Sequence, residues 1–197
     1  MIRLSVLLFL CGVSFAAACP EKLPESGITL TRQNPLFAAT YKPTPKGLAE
    51  QRIMMREGKQ EVTSTLYPHP LITEEITNSY GTLSFKYAKE SSSLNSLNKT
   101  GHWQSDLVMY AGDKEIGRGN TKLRFMDQGK LYIGTCAYGV WRVEEQMEIK
   151  GSNSTLFDKF YSPKLGLVLR ATKLTTDRKA ISSVIFDKIE IAKSEQN

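Results

Sequence analysis

From Gln60 onward the chain repeats one pattern. Short segments rich in Val, Ile, Thr, Tyr and Phe alternate with glycine or asparagine turns. In Leu83-Ser84-Phe85-Lys86-Tyr87 the odd positions are apolar, and Leu123-Arg124-Phe125 and Leu131-Tyr132-Ile133 repeat this. Val184 to Ile191 starts apolar and ends alternating. A period of two sets one face of a strand on a core and the other in water. The pattern predicts strands at Glu61–Tyr67, Leu71–Asn78, Thr82–Ala88, Trp103–Ala111, Glu115–Arg118, Thr121–Met126, Lys130–Tyr138, Val140–Lys150, Thr155–Tyr161, Leu165–Leu174 and Ile181–Ile191. Ala111-Gly112-Asp113 and Asp127-Gln128-Gly129 read as hairpin turns. Ser91–Thr100 is polar and β-poor, which predicts a long loop.

Short strands without helices between them imply a mainly β fold, an antiparallel meander. So wide a sheet should curl into a barrel or half-barrel, because left open it would expose long edges. The concave face of a curled sheet can hold an apolar ligand. Large residues at Leu131, Ile133, Val184 and Phe186 favour a modest cavity or none.

The earlier part of the chain differs. Residues 19–59 are expected to be a proline-rich lead-in to a β domain at 60–197. Pro24, Pro35, Pro43 and Pro45 each lack a backbone donor and fix φ, so this stretch should be irregular. Lys46–Arg56 is the one helical candidate, on a loose apolar face of Leu48, Ile53 and Met54; an edge strand is the alternative.

Residues 1–18 have a different character again. Arg3 precedes a ten-residue apolar run, Leu4–Val13, and then Ser14-Phe15-Ala16-Ala17-Ala18. A positive start, a short apolar core and small residues at the end make a secretory signal peptide, cut after Ala18. The run is too short to span a bilayer, which takes about 20 residues, and no later stretch is apolar enough. Residues 19–197 are therefore expected in a periplasmic or extracellular compartment, with no transmembrane segment.

The mature chain keeps Cys19 and Cys136. An oxidising compartment favours a disulfide between them. A cysteine at the first mature position is also where bacterial lipoproteins carry their lipid, although Ala16 stands where that signal usually has Leu. Two free thiols are the third alternative.

The net charge of +6 falls to +5 once Arg3 is removed. The bases are scattered, so the concentrated stripe that nucleic-acid binding needs is not visible. His69 and His102 are the only histidines, and neither has a partner at metal-ligand spacing. His69 lies in a proline-locked turn and His102 at a strand entry, where both read as surface or capping groups. No G-x-S-x-G context supplies a nucleophile. Glu74-Glu75 and Glu144-Glu145 are adjacent pairs, which a strand points to opposite faces. No catalytic residue, metal site or cofactor is expected. A hydrolase using His102 remains the most remote alternative.

The aromatics crowd the second half. Trp103, Tyr110, Tyr132, Trp141 and Phe160 are the candidate ligand-binding residues, the competing explanation being an ordinary aromatic core.

The run Phe160-Tyr161-Ser162-Pro163-Lys164-Leu165-Gly166-Leu167-Val168-Leu169 resembles a C-terminal hairpin of exported bacterial β-sheet proteins, Tyr-x-Pro-x-x-Gly-x-Val before a last strand. Pro163 would fix the turn and Gly166 supply positive φ. The resemblance covers about residues 100–191. It implies a curled sheet akin to the half-barrels that carry lipoproteins and lipids in the bacterial envelope, and it brings no catalytic residues. Together these features lead to the expectation of a non-enzymatic envelope protein. Its partner would be a lipid-like or other apolar small molecule, or an envelope protein. A structural or interaction module with a solid core is the alternative.

Overall fold

The computed structural model describes residues 19–193; the expected signal peptide lies outside them. Thirteen strands form one antiparallel sheet. They are β1 (Ile28–Arg32), β2 (Phe37–Thr44), β3 (Gly47–Arg56), β4 (Lys59–Tyr67), β5 (Glu75–Asn78), β6 (Gly81–Tyr87), β7 (His102–Ala111), β8 (Lys114–Ile133), β9 (Cys136–Ile149), β10 (Thr155–Ser162), β11 (Leu167–Leu174), β12 (Ala180–Val184) and β13 (Lys188–Ile191). Each of β1 to β12 pairs with its neighbours in sequence, and β13 returns to pair with β1. The ladder ends at β12 on one side and β13 on the other, so its hydrogen bonds do not close a barrel. Ile185–Asp187 links these two end strands. The Asp187 N–H donates to the Thr31 carbonyl, and its carboxylate accepts from the Gln33 N–H at 2.9 Å.

The proline-rich stretch corrects the expectation of an irregular lead-in, since β1, β2 and β3 lie within it. Its prolines do not obstruct the sheet. Pro43 pairs with Leu48, but β1 reaches only as far as Tyr41 along β2. The missing N–H of Pro43 therefore interrupts no ladder on that side. Lys46–Arg56 is strand rather than helix. Leu48, Glu50, Arg52 and Met54 share one face, and the charged pair among them masks the alternation in the sequence. Gly47, at φ +129°, enters that strand where a Cβ would lie 2.2 Å from the Tyr67 carbonyl oxygen. The expected Ser91–Thr100 loop instead contains a 3₁₀ segment, Ser91–Ser96, and one helical turn, Leu97–Thr100. Among the described residues no helix is long and apolar enough to cross a membrane.

Two cores result. The first packs Ile28, Leu30, Phe37 and Tyr41 from the early strands against Ile133, Tyr138, Leu167 and Leu169 from the late ones. Phe186 and Ile189 fill its seam, and Phe186 meets Phe37 at 5.8 Å. The second packs Trp103, Leu123 and Val143 beneath Leu71 and Ile72 of the β4–β5 connection and Leu94 and Leu97 of the helical segment.

The two cores lie on opposite faces of the β8–β9 hairpin. The Asp127-Gln128-Gly129 turn expected from sequence is not a turn, because β8 runs straight through it. The register instead passes from Phe125 opposite Val143 to Asp127 opposite Arg142, leaving Met126 as a bulge. Residues 142 and 143 point to opposite faces, so the bulge moves the odd-numbered apolar set of β8 from one face to the other.

The Phe160–Leu169 hairpin forms with its turn at residues 163–166, and Gly166 has φ +66°. Cys19 and Cys136 are disulfide-bonded across a sequence separation of 117, with Cα atoms 5.5 Å apart. The bond ties the first described residue to the start of β9, in the wall of the first core. Replacing both cysteines with serine is expected to destabilise the fold by about 2–5 kcal/mol. The check is a lower urea midpoint that matches the wild type under reductant.

Candidate functional site

The five aromatic residues singled out from sequence do not converge. Trp103 is 2% exposed in the second core, its ring 6.0 Å from that of Tyr87. Trp141 flanks the same core, edge-on to Tyr161 at 5.6 Å. Phe160 lies opposite Arg142, so it faces the first core, and the Arg170 guanidinium covers its ring at 3.8 Å. Tyr110 carries the Lys86 ammonium over its ring at 4.7 Å. Tyr132, near the tip of the β8–β9 hairpin, is 65% exposed. Two of the five are therefore neighbours in one core, and the others point elsewhere.

Two charged networks, invisible in the pattern of residues, are buried within the sheet. The first surrounds Glu50, which is 2% exposed. It stands opposite Tyr41 on β2 and Thr65 on β4, facing the first core. Arg52 donates to both its oxygens at 3.0 and 2.9 Å, and the hydroxyls of Tyr41 and Tyr67 also donate to it. Burial, then the Glu50 charge, raises the pKa of both tyrosines well above the usual range.

The second network lies in the other core. Glu145 and Lys159 are on the same face of β9 and β10, offset by two residues, and their charged atoms are 2.7 Å apart. Both side chains are nearly fully buried. The Lys159 ammonium also donates to the Leu71 carbonyl at 2.8 Å, which clips the β4–β5 connection onto the sheet. His69 belongs to the same connection and corrects the expectation of a surface group: it is buried, with its ring 5.5 Å from that of Tyr161. Its Nδ1 accepts the Leu71 N–H at 3.2 Å, as only the neutral ring protonated at Nε2 can. Burial pushes the His69 pKa down to about 4, and the nearby Lys159 charge adds to the effect.

Adjacent glutamates do separate as expected. Glu145 turns inward, and Glu144 turns to the opposite face, where Arg124 and Arg178 bind it at 3.0 and 2.8 Å. These hydrogen bonds, Arg178 first, hold the Glu144 carboxyl below the usual range. His102 is exposed and stands opposite Arg124.

Two open grooves lie on the outside of the sheet. One, of about 640 Å³, runs over β7–β9 and includes Asp106, Arg118, Asn120, Glu148 and Lys150. The other, of about 560 Å³, crosses β13, β1, β2, β3 and β4, with Thr29, Thr40, Gln51 and Ser64 along it. None of the five sequence-predicted aromatics lines either groove. Comparison of the chain with protein-family models, curated proteins and solved structures finds no match.

Two predictions follow from the second network. Lys159→Met strands a buried carboxylate and is expected to cost about 3–5 kcal/mol, most of it recovered by adding Glu145→Leu; a double-mutant cycle in urea measures the coupling. His69 gives a pH dependence. Its folded pKa lies below the unfolded 6.5, so between about 6.5 and 4 the unfolded chain binds more protons. Stability is full above that window and falls on acidification through it, by about 3 kcal/mol in total. In His69→Asn, whose amide oxygen replaces the Nδ1 acceptor, the slope in this window should flatten.

Proposed function

We propose that the protein is an exported, non-enzymatic binding module of the cell envelope that meets its partners on the outer surface of a solid, disulfide-stapled sheet. The observation that carries this reading is the filling of both cores. Inward positions hold large side chains, among them Ile133, Tyr138, Leu167 and Phe186 in one core and Trp103, Leu123 and Val143 in the other. Large side chains on the inner positions are what a densely packed interior requires, which favours binding on the surface over a lipid chain held inside. The buried ionisable groups support the same view. Glu145 and Lys159 engage each other and the Leu71 carbonyl and line neither groove. Glu50 borders the 560 Å³ groove, but its carboxylate is held by Arg52, Tyr41 and Tyr67. Export is supported by the N-terminal leader pattern and by the Cys19–Cys136 bond, which persists in oxidising compartments.

The test has two arms. Expressed with its own leader, the protein is expected in the exported fraction with a mass that begins at Cys19 and two thiols that appear only on reduction. A mass bearing acyl chains, or a cytosolic product, overturns the disulfide-stapled exported form. In the second arm, titration with a fluorescent fatty acid is expected to give no saturable signal. Stoichiometric binding displaced by unlabelled lipid overturns the solid interior and makes the protein a lipid carrier.

A further inference from the structure

The outer face of the early strands carries a regular row of polar side chains. Glu190 on β13 stands opposite Thr29 on β1, Thr29 opposite Thr40 on β2, and Thr40 opposite Gln51 on β3. Gln51 is in turn opposite Ser64 on β4, and Ser64 opposite Thr77 on β5. The row alternates with the residues that fill the first core, so its side chains point outward. The 560 Å³ groove follows this row from Glu190 to Ser64. Threonine is common on half-buried strand surfaces, so the threonines alone would say little; the groove that follows the row is the second observation.

We infer that this groove binds an extended, β-linked glycan that carries carboxylates. The inference rests on the reading of the protein as an external binding module and names its ligand. Three features select this chemistry. The row offers hydroxyl and amide groups, Thr29 and Thr40 linked at 3.0 Å, which match sugar hydroxyls, beside Ala49, Leu66 and Ile191, which suit the C–H face of a sugar ring. Its rungs are one strand spacing apart, about 4.8 Å, comparable with the length of a sugar ring in an extended chain. A polypeptide laid across the strands advances about 3.3 Å per residue and falls out of step. The charge at the rim is positive. Lys42 and Lys193, which line the groove, are exposed and make no ion pair among the described residues, whereas Glu190 is already neutralised by Lys188 at 2.8 Å.

The experiment uses the whole mature chain, residues 19–197, titrated with β-1,4-linked hexamannuronate and with uncharged β-1,4-linked mannohexaose. Amide shifts are expected to move at Thr29, Thr40, Gln51 and Ser64. The acidic glycan should bind about tenfold more tightly, with the advantage fading as salt rises. Lys42→Ala combined with Lys193→Ala should abolish that advantage while mannohexaose still binds. Thr40→Val with Gln51→Leu keeps outward, strand-compatible side chains and should weaken both glycans about tenfold or more. Absence of shifts with both glycans, shifts confined to another surface, or variants that bind like the wild type would overturn the inference. So would tighter binding of an octaglutamate peptide in the same groove. The wild-type shift map stands even where a variant misfolds. Failure here with a silent fatty-acid titration removes the glycan alone; a saturable fatty-acid signal removes the external-binding reading itself.

Discussion

A long hairpin that must bury apolar side chains on both faces faces a geometric conflict. Strand side chains alternate strictly, so an unbroken β8 would send Leu123, Phe125, Leu131 and Ile133 to a single face. The bulge at Met126 resolves this by shifting the register by one residue. The half of the hairpin nearer its base then covers the second core, and the half nearer its tip covers the first. β9 needs no bulge. It presents Cys136, Tyr138 and Val140 to one side and Val143 and Glu145 to the other, and both of its faces are covered near residue 144. Everything packed against the hairpin depends on this switch, from β1 and β2 on one face to the β4–β5 connection on the other.

The buried charges follow from the same arrangement. A charged side chain that points into a core has few exits, so each one inside needs a partner. Glu50 has Arg52 and two tyrosines, and Glu145 has Lys159. Removing both charges of such a pair often costs little, whereas removing one costs much. Their value here is positional. Lys159 holds the Leu71 carbonyl, and the connection it secures carries His69, Leu71 and Ile72 over the second core. An apolar residue at 159 could fill the volume but could not hold that carbonyl.

How far the sequence was legible depended on what sets each feature. Strands β6, β7 and β10–β11 alternate plainly, and the turns at Ala111–Asp113 and Pro163–Gly166 have residues that the geometry requires. Two cysteines alone leave a disulfide, a lipid anchor and free thiols open; the 5.5 Å approach of their Cα atoms selects the disulfide. β3 was obscured because inward Glu50 and Arg52 look like exposed charges, and their shelter comes from Tyr41 and Tyr67 on neighbouring strands. The prolines of the early segment suggested irregularity, although they fall at turns or beyond the reach of the next strand. The bulge at Met126 has no glycine to mark it, and Gly129 nearby drew the turn to the wrong place. The burial of His69 depends on contacts with Leu71 and Tyr161, which are set by tertiary packing. The groove row could not be seen either, because it emerges only once the register of six strands is known.

The returning strand has a consequence for how the chain acquires its shape. β12 extends from β11, and three residues later β13 caps β1, so one short segment occupies both lateral margins of the ladder. Phe186, in the link between them, completes the seam of the first core. This segment is made after every other strand, so while it is still being synthesised β1 lacks a partner on its outer side. Until it forms, the outer backbone groups of β1 are an open edge of the kind that pairs with other strands. Completion then waits for the emergence of a dozen residues near the end of the chain.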